Sequence, residues 1–253
     1  MSTRSFVKYQ AAGNDFILLD DRTQTFDSTQ VKALCHRRFG IGADGVILLQ
    51  CDPVADFRMR IFNKDGSEAE SCGNGLRCLM KFLLHLGLPN RSYRIATANH
   101  LVEAHFDGEK IHIQLGDIPN VKQLYICGYE GHSLDTGVPH LVVFVPDVQE
   151  VDILKEGPIL RHHVLFQPRG TNVNFATLQS DGSIRVRTFE RGLEGESLAC
   201  GTGAAAVGVV ASQVYRLPSP MRLCFPGGEI GISLNGAQVQ LIGEAHAVFQ
   251  GTI

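Results

Sequence analysis

No apolar run in this 253-residue chain approaches the roughly 18 residues that a membrane-spanning helix needs, so no membrane partner is expected. Basic tracts and zinc-finger spacings are also missing, and the formal charge is -3. A nucleic-acid partner therefore has no electrostatic footprint, and no metal set stands out. The opening segment, Met1-Ser-Thr-Arg-Ser-Phe-Val-Lys8, has no signal-peptide core, which makes a cytoplasmic protein the expectation. The seven cysteines are odd in number and scattered, unlike a disulfide framework, so reduced thiols are expected. Cys35, Cys51, Cys127 and Cys224 lie in apolar or strand-like contexts and read as small buried hydrophobes.

What is present is a repeated phrase. Arg60-Ile-Phe-Asn63 leads to Cys72-Gly-Asn-Gly75, and Arg187-Thr-Phe-Glu190 leads to Cys200-Gly-Thr-Gly203. A second echo precedes each: Gly13-Asn-Asp-Phe-Ile-Leu-Leu19 and Gly137-Val-Pro-His-Leu-Val-Val143. Hydrophobic residues make up 44% of the chain, enough for one large or two small cores, and the echoes favour two domains of about 120 residues. Residues 1–117 and 118–253 are the expected halves, with a return of the last residues to the first domain left open. A pseudo-twofold arrangement with the active site between the domains follows as a hypothesis.

Short strands are expected at Phe6–Tyr9, Phe16–Leu19, Val46–Gln50 and Phe57–Phe62, broken by glycine, asparagine and aspartate turns. Leu76, Leu79, Met80, Leu83 and Leu84 recur at helical spacing until Gly87-Leu-Pro89, so a helix begins just after the first glycine-rich turn. A meander follows at Arg94–Asn99, Leu101–Phe106 and Lys110–Leu115. In the second half, His140–Val145, Asn172–Leu178 and Ser183–Phe189 are strand-like. The Ala/Val-rich run Ala204–Gln213 reads as the matching buried helix, its alanine content outweighing its valines. Met221–Phe225, Glu229–Leu234 and Gln238–Ile242 form a closing meander, with a further strand expected in Glu244–Gln250.

The paired glycine-rich turns suggest chemistry. A helix start has free N–H groups, and Gly73, Gly75, Gly201 and Gly203 would let an anion approach them closely. The same field stabilises a thiolate. Two such ends facing one another could share one carboxylate and set Cys72 and Cys200 on opposite sides of its α-carbon. Racemisation or epimerisation needs that arrangement, since one group removes a proton and the other returns one to the opposite face. Cys78 lies inside the helix pattern and reads as core. Asn63, Asp65 and Gly66 could equally end a strand in a turn, and Glu190 with Arg191 could be an ordinary exposed pair. His140 reads either as a satisfied core histidine or as a group that accepts a proton from a thiol.

At these residues the chain resembles the diaminopimelate epimerase family of cofactor-independent amino-acid epimerases. The blocks are Ala12-Gly-Asn-Asp-Phe16, Gly40-Ile-Gly-Ala-Asp-Gly45, Arg58-Met-Arg-Ile-Phe-Asn63, Asp65-Gly-Ser67, Cys72-Gly-Asn-Gly75 with Arg77-Cys78, Thr188-Phe-Glu-Arg-Gly192, Gly195-Glu196 and Ala199-Cys-Gly-Thr-Gly203. The resemblance implies an α+β fold of two pseudo-symmetric domains. Each would be a curved mixed β-sheet, barrel- or roll-like, wrapped around a central helix, with the active site in the interdomain cleft. It also implies conversion of LL-2,6-diaminopimelate to the meso form without pyridoxal phosphate or metal. By motif, Cys72 would work with His140 and Cys200 with Glu190. Gly73, Asn74, Gly201 and Thr202 would hold the reacting carboxylate through backbone amides, with Glu190 and the Arg191 carbonyl near the ammonium. Asn14, Asn63, Asn172 and the Arg191 guanidinium would recognise the distal end.

One departure bears on specificity. Family members commonly carry Gly-Asn-Pro-His where this chain has Gly137-Val-Pro-His140, and Val138 offers no side-chain hydrogen bond. A related amino-acid racemase of broader specificity, for example toward glutamate, is the first competing reading. A cysteine hydrolase, a redox protein using a Cys72–Cys200 disulfide, an amino-acid-binding module and the proline racemase-like and phenazine-pathway isomerase-like proteins are others. The expected partner is a small amino-acid substrate, and a homodimer is the candidate assembly.

Overall fold

The computed structural model describes residues 3–69 and 72–253. The chain forms two compact units, Met1–Gln114 with Gly243–Ile253, and Leu115–Ile242.

In the first unit, β1 (Ser5–Ala11) and β2 (Asn14–Asp20) pair antiparallel. Ala12 and Gly13, both at positive φ, make the two-residue turn that suits the right-handed twist of a hairpin. A short helix, α1 (Val31–Cys35), precedes β3 (Gly45–Gln50), which runs parallel to β2 and antiparallel to β4 (Phe57–Asn63). The short β5 (Glu68–Ala69) folds back on β4, and α2 (Gly73–His85) follows. β6 (Tyr93–Ala96) returns parallel to β4, and β7 (Leu101–Asp107) and β8 (Lys110–Asp117) complete an antiparallel meander. Every residue of β3 is buried, as a strand covered on both faces requires. One side meets Val31 and Cys35 of α1 through Val46 and Leu48. The other faces α2, which packs against β1 to β4.

The second unit opens with the hairpin β9 (Lys122–Ile126) and β10 (Tyr129–Asp135), then β11 (Pro139–Phe144) antiparallel to β10. After α3 (Ile153–Arg161), β12 (Asn172–Leu178) runs parallel to β11 and antiparallel to β13 (Ile184–Glu190). β14 (Gly195–Ser197) folds back on β13, α4 (Gly201–Gln213) follows, and β15 (Met221–Phe225) returns parallel to β13. β16 (Gly228–Asn235) and β17 (Gln238–Gly243) close the meander. The chain then returns to the first unit as β18 (His246–Thr252), antiparallel to β1.

The same pairing order thus occurs twice, as β2-β3-β4-β5-α2-β6 and β11-β12-β13-β14-α4-β15. Both are α+β units built around one buried helix. α4 is buried without a break from Gly203 to Ala211, and its small residues permit that. A Cβ at Gly208 would stand 2.6 Å from Cγ2 of Ile232 on β16, so only glycine allows this helix–sheet approach.

Several details differ from the sequence-based expectations. α1, α3, β9 and β10 were not anticipated; α3 carries Gly157 and Pro158, which read as breakers. Both central helices begin at the residue after their cysteine, so α4 starts three residues earlier than its Ala/Val run. Three cysteines read as buried are not. Cys51 and Cys127 are exposed and Cys224 is half-buried. Cys127 takes positive φ beside Gly128 in the β9–β10 turn, where its side chain faces out of the hairpin instead of into a core. Among the described residues, no helix is long and apolar enough to cross a membrane.

Candidate active site

Cys72 and Cys200 hold the same position in their units: each is the N-cap of the central helix. Both have extended backbone, and each sulfur accepts the N–H of the glycine three residues on, at 3.4 Å from Gly75 and 3.3 Å from Gly203. Serine, threonine or aspartate normally fills this role; here sulfur does, directly in the positive field of a helix start. The glycines keep side-chain bulk away from a helix start whose backbone N–H groups and dipole favour an anion.

Around Cys72 the first unit gathers two asparagines. Asn14, the first residue of β2, receives at its Oδ1 the amide of Asn74 at 3.3 Å, and the Cys72 thiol stands 3.8 Å from the same oxygen. The Asn14 amide nitrogen donates to Asp44 at 2.9 Å, which fixes its orientation. Asn74 is held from below by Arg77, a fully buried guanidinium that donates to its Oδ1 at 2.8 Å and to the Glu244 carbonyl at 3.2 Å. Asn63 stands apart from this cluster. It ends β4, and its amide donates to Ser67 in a turn that includes the Gly66 N–H to Asn63 carbonyl bond. Cys78, one turn beyond Asn74, is fully buried, and burial pushes its thiol pKa well up.

Around Cys200 the second unit places Thr202, whose hydroxyl is 3.5 Å from the sulfur and whose carbonyl accepts from Thr136. His140, on β11, is buried opposite Asn172, the first residue of the parallel strand β12. Asn172 accepts the Arg191 backbone N–H at 2.8 Å, tying that strand start to the end of β13. Burial pushes the His140 pKa down to about 3, with the Arg191 charge acting the same way, so the ring is neutral. Glu190, the last residue of β13, has its pKa raised by burial, partly offset by the nearby Ser197 hydroxyl. It matches Asn63 of β4 in the repeated topology, so the two halves end equivalent strands in unlike polar groups.

The diaminopimelate epimerase family profile matches residues 6–119 and 132–248. The diaminopimelate epimerase of Aquifex aeolicus is 39% identical over 98% of this chain and 97% of its own length. That of Methanocella arvoryzae is 38% identical over 100% of this chain and 98% of its own.

The chain belongs to the diaminopimelate epimerase family.

It is accordingly an isomerase. Solved structures share the fold at low identity: a PhzF-family phenazine biosynthesis protein from Enterococcus faecalis has a TM-score of 0.81 at 12% identity, covering 100% of this chain and 99% of its own. A hydroxyproline epimerase from Agrobacterium vitis has a TM-score of 0.70 at 16% identity, covering 100% and 91%. In this diaminopimelate epimerase family member, residues beyond the sequence-derived set support the site. Asp44 orients Asn14, and Asn174 and Thr188 form a fully buried network with His140. Asn174 alternates with apolar neighbours along β12, the one signal in the sequence that it faces the same side as Asn172.

Proposed function

We propose that Cys72 and Cys200 are the two bases of this isomerase. The overall reaction is the family's, epimerisation of LL-2,6-diaminopimelate to the meso form in lysine biosynthesis, which also supplies a peptidoglycan precursor. The observation that carries the proposal is the identical N-cap placement of both sulfurs on the central helices of the two units.

One cysteine begins as thiolate and takes the α-proton, so the C–H bond breaks and an S–H bond forms. The electron pair left on carbon delocalises into the α-carboxylate, whose charge the helix starts after Cys72 and Cys200 stabilise. The other cysteine, a thiol, delivers its proton to the opposite face and becomes the thiolate. Turnover in reverse exchanges the roles, and both thiols must reach the same α-carbon in the working enzyme. Gly73, Asn74, Gly201 and Thr202 are assigned to the reacting carboxylate. Glu190 is assigned to the ammonium and to the proton of Cys200, while Asn14, Asn63, Asn172 and Arg191 take the distal amino-acid end. No cofactor enters this scheme. Its dependence on two reduced thiols suits the cytoplasm.

Val138 favours one second reading, a broader amino-acid substrate range, because its side chain offers the distal group no hydrogen bond. Solvent deuterium incorporation at the inverted α-carbon, with LL-diaminopimelate, lysine and glutamate each offered to the reduced enzyme, separates the two. Exchange with diaminopimelate alone is expected. Faster exchange with glutamate establishes the broader reading, and no exchange with diaminopimelate defeats both.

A further inference from the structure

Asn174 is the third residue of β12 and has no exposed surface. Its Nδ2 is 3.0 Å from the Leu141 carbonyl and 3.0 Å from Nδ1 of His140, while its Oδ1 accepts the Thr188 hydroxyl at 2.9 Å. The amide cannot be turned over, since that would set its oxygen against the Leu141 carbonyl oxygen. Its nitrogen is therefore a donor toward His140, and Nδ1 must present a lone pair. On the other side of the ring, Asn172 faces Nε2 with its own Nδ2 at 3.4 Å, because its oxygen is engaged by the Arg191 N–H. Two amide nitrogens thus flank one imidazole. A neutral ring can accept at only one of its two nitrogens, and the 3.0 Å contact anchored at three points decides for Nδ1.

We propose that Asn174 is a positioning residue that fixes the single proton of His140 on Nε2. A ring so held donates from Nε2 and has no lone pair free to accept. His140 then serves the site as a hydrogen-bond donor, and not as the group that takes a proton from a thiol. The depressed basicity of the buried ring agrees with this. The same asparagine reaches the thiol's helix: a Cβ at Gly203 would stand 2.4 Å from Asn174 Oδ1 and 3.2 Å from the Cys200 sulfur. One side chain therefore sets the ring's tautomer and abuts the first turn of α4. The tautomer stands on geometry alone, whereas its bearing on proton exchange rests on the two-thiol reading.

Long-range 1H–15N correlation spectra of the enzyme labelled with 15N-histidine test this, the His140 signals being those lost in His140→Gln. Wild-type enzyme is expected to show a protonated Nε2 and a bare Nδ1 at about pH 7, unchanged down to about pH 5. A proton on Nδ1, or on both nitrogens, in that range overturns the proposal. Asn174→Asp replaces the donor by an acceptor and is expected to move the proton to Nδ1 or to make the ring titrate near neutrality, with kcat lowered at least about tenfold. A folded Asn174→Asp enzyme whose His140 tautomer is unchanged also overturns it. Should that variant not fold, the wild-type spectrum decides alone. Near-normal epimerisation in the Cys72→Ala or Cys200→Ala variant would instead defeat the two-thiol reading, leaving the tautomer untouched.

Discussion

Nη2 of Arg77 donates to Oδ1 of Asn74 at 2.8 Å, so a guanidinium with no exposed surface holds the side chain two residues beyond the Cys72 N-cap. Asn74 passes the constraint to Asn14, which the Cys72 thiol also approaches. Arg77→Ala removes that support together with a large buried side chain. We expect a loss of about 3 kcal/mol or more in urea unfolding and a lower kcat in the folded fraction. Wild-type stability in the variant would show that Arg77 carries neither burden.

Gly203 is equally constrained. The smallest added side chain would press on Asn174 and on the Cys200 sulfur, and neither buried group has room to retreat. Gly203→Ala should cost about 1–3 kcal/mol and reduce kcat sharply, while Gly87→Ala, with nothing within 4 Å but a positive φ, should affect stability only. Steady-state kinetics on the two variants makes the comparison.

His140 makes stability depend on pH in a definite direction. Burial, with a smaller contribution from Arg191, lowers its folded pKa to about 3, against about 6.5 for an unfolded histidine. Between these values the unfolded chain binds a proton that the folded chain does not. This contribution is complete above about pH 6.5 and is lost as the pH falls toward about 3. Urea midpoints measured from pH 8 to pH 4 should fall less steeply in His140→Gln than in wild type.

Cys78 separates packing from chemistry. Its thiol is fully buried and its pKa is pushed up by that burial, so it is a poor proton carrier. Cys78→Ala should destabilise by about 1–2 kcal/mol and leave kcat near wild type. A folded variant without activity would move Cys78 into the site.

The repeated cysteine phrase was legible because both copies fold identically, a strand end followed by a helix capped by sulfur. Strand bounds at Asn172–Leu178 and Met221–Phe225 follow from period-2 apolar patterns flanked by turns. α3 was hidden because Gly157 and Pro158 break the local signal, while Leu160 and Ile153 anchor the helix to a core built from distant residues. The exposure of Cys51 and Cys127 depends on where turns point, which their apolar neighbours conceal. Asn174 could not be singled out because its partners, Thr188 and His140, lie 14 and 34 positions away, and only the pairing of β11, β12 and β13 brings them together.

The central claim is proton exchange by two thiols, and the initial rate in deuterium oxide tests it most directly. With LL-diaminopimelate as substrate, the account predicts that early meso product carries one solvent deuterium at the inverted α-carbon, while unreacted substrate stays unlabelled. Cys72→Ala and Cys200→Ala should each lower kcat by about a hundredfold or more without unfolding the chain. Deuterium entering recovered substrate as fast as product, or near-normal epimerisation in either variant, would contradict it.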